Sequence, residues 1–389
     1  MHILRRTWAE VDLGAAEHNF NVIKNQAESS KICCVVKADG YGHGAKVLAK
    51  LYEKLGADFL AVSNIDEAEG LRDYGITLPI LILGYTPVDD AKRLLKLKLT
   101  QAVYCLEFAK ALSEKCVELG GTLDVHIKID TGMSRIGFMC QSFPRDEASI
   151  SEIAEACALK GINATGIMAH FSVADEGEEG REYTENQLAC FEHTVNALKE
   201  KGIEFDVVHH ANSAGTECYK NAHKTMVRAG IILYGLAPSG KLQNALPIKP
   251  LMTLKTTVAS VKEIKKGTTV SYGRTFEASK DMKVATVTIG YADGYFRDFS
   301  NKGYMLLKGE KCRILGRVCM DQTIIDVSDT PNVKIGDEVI VFSATDSPTV
   351  DELACFADTI NYEVICAVSK RVPRYYHKNG EIVDVMYKL

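Results

Sequence analysis

Ile32-Cys-Cys-Val-Val-Lys37 is an unbroken apolar run closed by a lysine, and Ala38-Asp-Gly-Tyr-Gly-His-Gly44 follows it as a glycine-rich turn. The run is too continuous for a strand with one face in water. It reads as a strand of a parallel sheet covered on both faces. Seven further runs of this kind lie at residues 59–63, 80–84, 101–104, 125–130, 164–170, 207–212 and 226–234. Helical pattern fills the gaps between them. Thr86 precedes Pro87 at a first-turn position ahead of residues 89–98. Asn64 with Glu67 opens another helix that ends near Gly75, and Thr184-Glu-Asn-Gln187 reads as a capping box ahead of a helix ending at Gly202. Eight strands with their helices, spread over about 240 residues, predict an α/β fold built on a (β/α)8 TIM-like barrel, which takes roughly 250 residues. A doubly wound open sheet is the alternative. Its G-x-G-x-x-G fingerprint is absent after the first strand.

After residue 245 the pattern changes. Residues 254–263, 268–272, 284–290, 304–307, 312–327 and 338–342 read as strands, with Gly267, Gly294, Gly309, Gly316 and Gly336 at or near their ends. Helical pattern is sparse until residues 351–359. The expected division is a barrel over residues 1–245 and a mainly-β domain over 246–389, joined through a linker at 237–250 rich in small residues and proline. A first strand near residues 7–12 is expected to pair with the β domain.

The chain has 389 residues, and 46 Lys and Arg against 51 Asp and Glu leave a formal net charge of −5. Mild acidity without a dense basic run argues against nucleic acid or an anionic membrane as a partner. No apolar stretch approaches the ~20 residues of a membrane helix, and the first residues carry no secretory apolar region. A cytoplasmic protein is expected. Twelve cysteines occur without a CxxC pair and read as reduced, mostly core residues. His209-His210 is not read as a metal pair, because adjacent strand residues point to opposite faces. No metal is expected.

In a barrel, chemistry gathers where the strands end. Those ends carry Lys37, Lys128 with Asp130, His170, His209, Ser213 and Arg228. Lysine is almost never buried unless paired or reacted, so Lys37 is either a rim residue with its ammonium in water or a lysine held as a Schiff base.

Residues 36–44, Val-Lys-Ala-Asp-Gly-Tyr-Gly-His-Gly, resemble the pyridoxal-phosphate signature of the alanine racemases. The rest of the pattern follows in order: Lys128-Ile-Asp-Thr-Gly-Met-Ser-Arg-Ile-Gly137, Met168-Ala-His-Phe171, His210-Ala-Asn-Ser213, Arg228-Ala-Gly-Ile231, Val270-Ser-Tyr-Gly273, Gly290-Tyr-Ala-Asp-Gly294, Arg317-Val-Cys-Met-Asp-Gln322, and Asn361-Tyr-Glu363 with Arg371-Val-Pro-Arg374. Asp39-Gly40 departs from the commoner Asn-Ala but leaves the lysine and tyrosine in place. The resemblance implies a fold-type III enzyme carrying pyridoxal 5′-phosphate on Lys37, and a head-to-tail homodimer with active sites at the subunit interface.

It also implies roles for single residues. Lys37 and the partner subunit's Tyr272 are the two bases, since racemisation needs one on each face of a planar carbanion. Tyr41, Ser213, the backbone of Gly230 and Ile231, and Tyr362 would bind the phosphate, and Arg228 would face the pyridine nitrogen. His170 would share a relay with Arg228, and His209 would orient that arginine. Arg135 and the amide of Met320 would meet the substrate carboxylate, with Asp321 at the entrance. Lys128 resembles a position that becomes a carbamate in many members; the alternative is a plain lysine paired with Asp130. The implied reaction is interconversion of L- and D-alanine for peptidoglycan. A racemase acting on serine as well is the nearest alternative, since one hydroxymethyl in place of a methyl is worth only ~1–3 kcal/mol of discrimination. A fold-type III decarboxylase fits less well, because it would be expected to set an acidic residue at the ring nitrogen. A non-catalytic cofactor carrier would be a barrel alone.

Overall fold

The computed structural model describes residues 6–142, 146–242 and 245–387. Its first strands are β1 (Thr7–Asp12), β2 (Lys31–Val35), β3 (Phe59–Val62), β4 (Ile80–Ile82), β5 (Thr100–Val103), β6 (Leu123–Asp130), β7 (Phe138–Met139), β8 (Ile162–Met168), β9 (Val207–His209) and β10 (Met226–Ala229). Contacts divide the chain into two compact units. One holds Glu17–Gly40 and Ala45–Ile248; the other holds the residues up to Ala16, Tyr41–Gly44, and Lys249 onward.

The first unit is the barrel. Its strands run in the order β10-β2-β3-β4-β5-β6-β8-β9, every pairing parallel. The circle is drawn shut by two backbone bonds of 3.0 Å, from Thr225 N–H to the Val208 carbonyl and from Arg228 N–H to the Ala211 carbonyl. Most of the strand residues are buried, as their apolar continuity predicts. Register then fixes neighbours: Lys128 lies beside Met168, Met168 beside His209, and Arg228 beside Cys33. The helix over Ile65–Asp73 is capped as expected, Asn64 accepting from the Glu67 N–H. The barrel alternative is therefore the one realised, and the open sheet is not.

In the barrel several local expectations fail. Thr184 does not start a helix: the helix runs Glu178–Glu200, and the Thr184 hydroxyl donates back to the Gly180 carbonyl inside it. Residues 226–234 are not one strand. Gly230, at φ −114° and ψ −105°, breaks the run into β10 and a 3-10 turn over Ile231–Tyr234. The apolar run at 32–37 ends its ladder at Val35, because Ala38, Asp39, Gly40 and Tyr41 all take positive φ.

The second unit adds β11 (Met252–Ile264), β12 (Thr269–Val270), β13 (Phe276–Glu277), β14 (Met282–Val287), β15 (Tyr304–Leu307), β16 (Glu310–Arg313), β17 (Thr323–Asp326), β18 (Glu338–Phe342), β19 (Arg374–Lys378) and β20 (Glu381–Met386). The main sheet runs β16-β15-β18-β11-β1-β19-β20, with β14 bridging β11 and β17. β1 lies antiparallel to β11 and parallel to β19. β11 alternates buried and part-exposed residues over its first half, and register shifts at residues 254/255 and 258/260 let it bend between partners. The expected strand at 312–327 is two short strands, β16 and β17, separated by an irregular stretch that carries Arg317 to Gln322. Helix Val350–Phe356 opens with a Thr349–Glu352 capping box, and a second helix, Asn361–Ala367, follows it. All twelve cysteines are free thiols. Among the described residues no helix is long and apolar enough to cross a membrane.

Candidate active site

Arg228 closes β10 and is buried. Among the described residues its guanidinium has no carboxylate partner. One terminal nitrogen donates to His209 Nδ1 at 2.9 Å and to the His209 carbonyl at 3.1 Å. The other donates to the carbonyls of Ala169 (2.7 Å) and His210 (3.0 Å) and to His170 Nδ1 (3.3 Å). Every acceptor is neutral, and Nε takes part in none of these bonds. Loss of hydration lowers the arginine to about 10, still well above neutrality, so the cation persists. An arginine donates only, so His170 Nδ1 and His209 Nδ1 must both present lone pairs.

His170 follows β8 and feels burial first, then Arg228, Lys128, Arg135 and Lys37, all of which hold its imidazole well below the ordinary range. It is neutral, with its proton on Nε2. His209 is held down in the same way, by burial and then by Arg228. Lys128 is buried in β6, and its Nζ donates to the Ile129 carbonyl at 2.9 Å. Burial, and then Arg228, lower it to about 7. It forms no ion pair with Asp130. That carboxylate instead gathers the N–H groups of Gly132 (2.9 Å), Ser134 (3.0 Å) and Arg135 (3.0 Å), folding the turn that presents an exposed Arg135.

Lys37 is part-buried at the start of the left-handed turn. Ala38, Asp39 and Tyr41, three non-glycine residues at positive φ within four positions, are strained and need support. Glu67 accepts from the Ala38 N–H at 2.7 Å, and Asp39 accepts from the Ala45 N–H at 3.0 Å. Beyond β9, Ser213 opens the helix Ser213–Cys218 and accepts from the Gly230 N–H at 2.9 Å, which leaves its own hydrogen for another oxygen. Ile231 opens a 3-10 turn whose first N–H groups have no partner within it.

In the second unit, Tyr41 is buried and its ring lies 6.1 Å from that of part-buried Tyr362. Burial pushes the Tyr41 phenol well above its ordinary value. Arg374 donates to the Gly42 carbonyl from two nitrogens, at 2.9 and 3.0 Å, and Tyr376 donates to the His43 carbonyl at 3.0 Å. These bonds clamp the glycine-rich segment. Tyr272 is 69% exposed on a 3-10 turn after Ser271, whose φ is +64°. It is therefore not the strand residue expected from 268–272. Met320 is 53% exposed, its segment pinned by bonds from the Tyr291 and Ala292 N–H groups to the carbonyls of Cys319 and Met320. Arg371 bridges the buried Asp293 (2.8 Å) and the exposed Asp321 (2.7 Å).

Sequence reading missed several supporting residues: His126, which bonds to His209; Glu67 as a brace of the turn; and Arg374 as its clamp. His126 carried a faint signal. It stands two residues before Lys128 in a buried strand, hence on the same face.

A parallel barrel whose strand ends gather lysine, arginine and imidazole carries the groups of a barrel enzyme. A model for the alanine racemase N-terminal domain matches residues 11–238, and one for the alanine racemase C-terminal domain matches residues 251–376. Alanine racemase 1 of Clostridium acetobutylicum is 43% identical over 385 residues, covering 98% of both chains. The solved alanine racemase of Clostridium difficile 630 superposes with a TM-score of 0.93 at 41% identity, covering all of both chains. That of Bacillus anthracis with bound L-Ala-P gives 0.92 at 34% identity, covering 100% of this chain and 99% of that one. The chain belongs to the alanine racemase family, and it is an isomerase.

Proposed function

We propose that this protein interconverts L- and D-alanine with pyridoxal 5′-phosphate bound at Lys37, using two bases, as a homodimer. The observation that carries the reading is Arg228: a buried cation among neutral acceptors, with Nε uncommitted. That donor suits a neutral aromatic nitrogen. Ser213, with its hydroxyl hydrogen unspent, and the Ile231 N–H suit a phosphate, while the Gly230 N–H is already given to Ser213; the family resemblance would add Tyr41 and Tyr362 to the set. The residues present therefore fit the cofactor. When bound, pyridoxal phosphate withdraws electrons from the substrate's α-carbon and makes its proton acidic.

The chain's own groups do the rest. Arg228 stays protonated, so it donates to the ring nitrogen without giving up its proton, which leaves a weaker electron sink than an acid partner would provide. Lys37 Nζ takes or returns the α-proton on one face. Tyr272 from a second copy serves the other. His170, with its proton on Nε2, is the donor available to the Tyr272 oxygen. Arg135 and the Met320 amide hold the substrate carboxylate, with Asp321 at the entrance. Lys128, near neutral as an amine, suits carbamate formation beside Arg135. Tyr362 crowds side chains larger than methyl. A barrel over residues 1–245 whose first strand at 7–12 pairs with the β domain over 246–389, a cytoplasmic location and a role in peptidoglycan supply belong to the same reading.

The test is proton NMR of the holoenzyme with L-alanine in deuterated buffer, followed by chiral analysis. Loss of the α-proton signal together with appearance of D-alanine is the expected result. Exchange without inversion would remove Tyr272 as second base, and no exchange with cofactor bound would remove alanine as substrate. Faster turnover of L-serine would move the reading to a serine racemase.

A further inference from the structure

His126 lies in β6 with its ring fully buried. Its Nδ1 is 2.9 Å from His209 Nε2, and the rings meet edge to face, 4.9 Å apart at 69°. The proton order along this chain is forced. Arg228 can only donate, so His209 Nδ1 accepts. A neutral imidazole then carries its one hydrogen on Nε2, which donates to His126 Nδ1. The hydrogen of His126 must in turn sit on Nε2, and that atom is buried with no partner among the described residues. No reversed order exists, since an arginine nitrogen cannot accept.

The seat is built for this ring. A Cβ on Gly166 would lie 2.5 to 2.6 Å from His126 Cδ2 and Nε2, and the Phe59 ring lies 5.9 Å away on another side. Any larger residue at 166 would displace the imidazole. Leaving the terminal N–H unpartnered is costly at a buried site. The arrangement secures a fixed, uncharged lone pair aimed at Arg228. A carboxylate there would hold the guanidinium equally well but would neutralise it.

We propose that His126 is a positioning residue for Arg228, acting through His209: the directed chain Arg228 to His209 to His126 pins the His209 tautomer and so aims the arginine without cancelling its charge. The inference rests on the functional reading above for its catalytic consequence, but the proton order stands on geometry alone.

The first measurement is long-range 1H–15N correlation on holoenzyme labelled in its histidine nitrogens. Both His126 and His209 are expected as neutral Nε2–H tautomers throughout pH 6 to 8. An Nδ1–H tautomer or an imidazolium at either position would overturn the proposal. The second uses variants. His126→Leu removes the acceptor and is expected to shift the His209 signals, change the cofactor absorbance and lower kcat about tenfold or more with little change in KM for alanine. His126→Asn, whose Oδ1 can stand where Nδ1 stood, is expected to recover most of each. Equal impairment in both variants, or wild-type behaviour of the leucine variant, would reduce His126 to a packing residue. Should the leucine variant not fold, the wild-type tautomers and the asparagine variant still decide. A wild-type enzyme that fails to racemise alanine yet shows the two Nε2–H tautomers would remove the functional reading and leave the relay intact.

Discussion

Arg228 is a permanent cation sunk among carbonyls and imidazole lone pairs, and this choice of neutral company governs what the residues around it can do. Its field, after burial itself, keeps His170 and His209 deprotonated and lowers Lys128 to about 7. Lys128 is thus substantially a free amine at pH 8, the form that adds carbon dioxide. Enzyme equilibrated with 13C-bicarbonate at that pH is expected to show one carbamate carbon, absent in Lys128→Ala; its presence in that variant would place the carbamate elsewhere. Tyr272→Phe keeps the ring and loses the hydroxyl. It is expected to slow D-alanine formation by about 10²–10⁴-fold, the usual range for a general acid or base. Cofactor fixed to Lys37 by borohydride should be unaffected, as read by peptide mass. Tyr362→Ala is expected to raise kcat/KM for serine relative to alanine by about tenfold, within the range that one added group commands in a pocket. An unchanged ratio would free Tyr362 of any part in specificity.

At the level of elements, local rules that act through the backbone differ in reach. The Asn64 cap satisfies one N–H at the start of a half-buried helix. Asn64→Ala is expected to cost about 1 kcal/mol. Gly42 has φ +80°, and a Cβ there would come within 2.2 Å of the Ile365 carbonyl. Gly42→Ala combines a left-handed penalty of ~1–2 kcal/mol with overpacking of ~1–3 kcal/mol. Urea unfolding should rank the two variants in that order, and the reverse ranking would mean the clamped turn yields easily. The apolar runs of the barrel were legible because a two-face-buried strand must be continuously apolar, and 304–307 and 338–342 coincide with β15 and β18. Thr184 misled because its hydroxyl serves equally as a cap or as a bond to the preceding turn, and only the surrounding helix chooses. His126 stood in plain view inside residues 125–130. Its partner His209 is 83 positions away and becomes a neighbour only through the register of β6, β8 and β9. No local pattern encodes that.

For the whole molecule, the buried imidazoles set the acid limb of stability. Burial leads the lowering of His126 (to about 3), His170, His209, His210 and His223. Each is neutral when folded and titrates normally when unfolded. Their contribution is fully present above the unfolded value of about 6.5 and is lost as pH falls below it, because the unfolded chain then binds more protons. Each can add a slope of up to ~1.4 kcal/mol per pH unit. Unfolding midpoints should fall steeply between pH 6.5 and 5, above the range of ordinary carboxylates, with Glu217, raised to about 8 by burial, opposing the five imidazoles. A flat profile there would mean the folded imidazoles are accessible to protons. The same unit that holds these histidines interrupts the other in sequence. β1 takes its place between β11 and β19, so it cannot find its neighbours until residues 252–264 and 374–378 have been synthesised. The barrel can be completed in the meantime. During translation, then, β1 waits unpaired while the whole barrel is made, and a chaperone or a bulky amino-terminal fusion would act on Thr7–Asp12 throughout that wait.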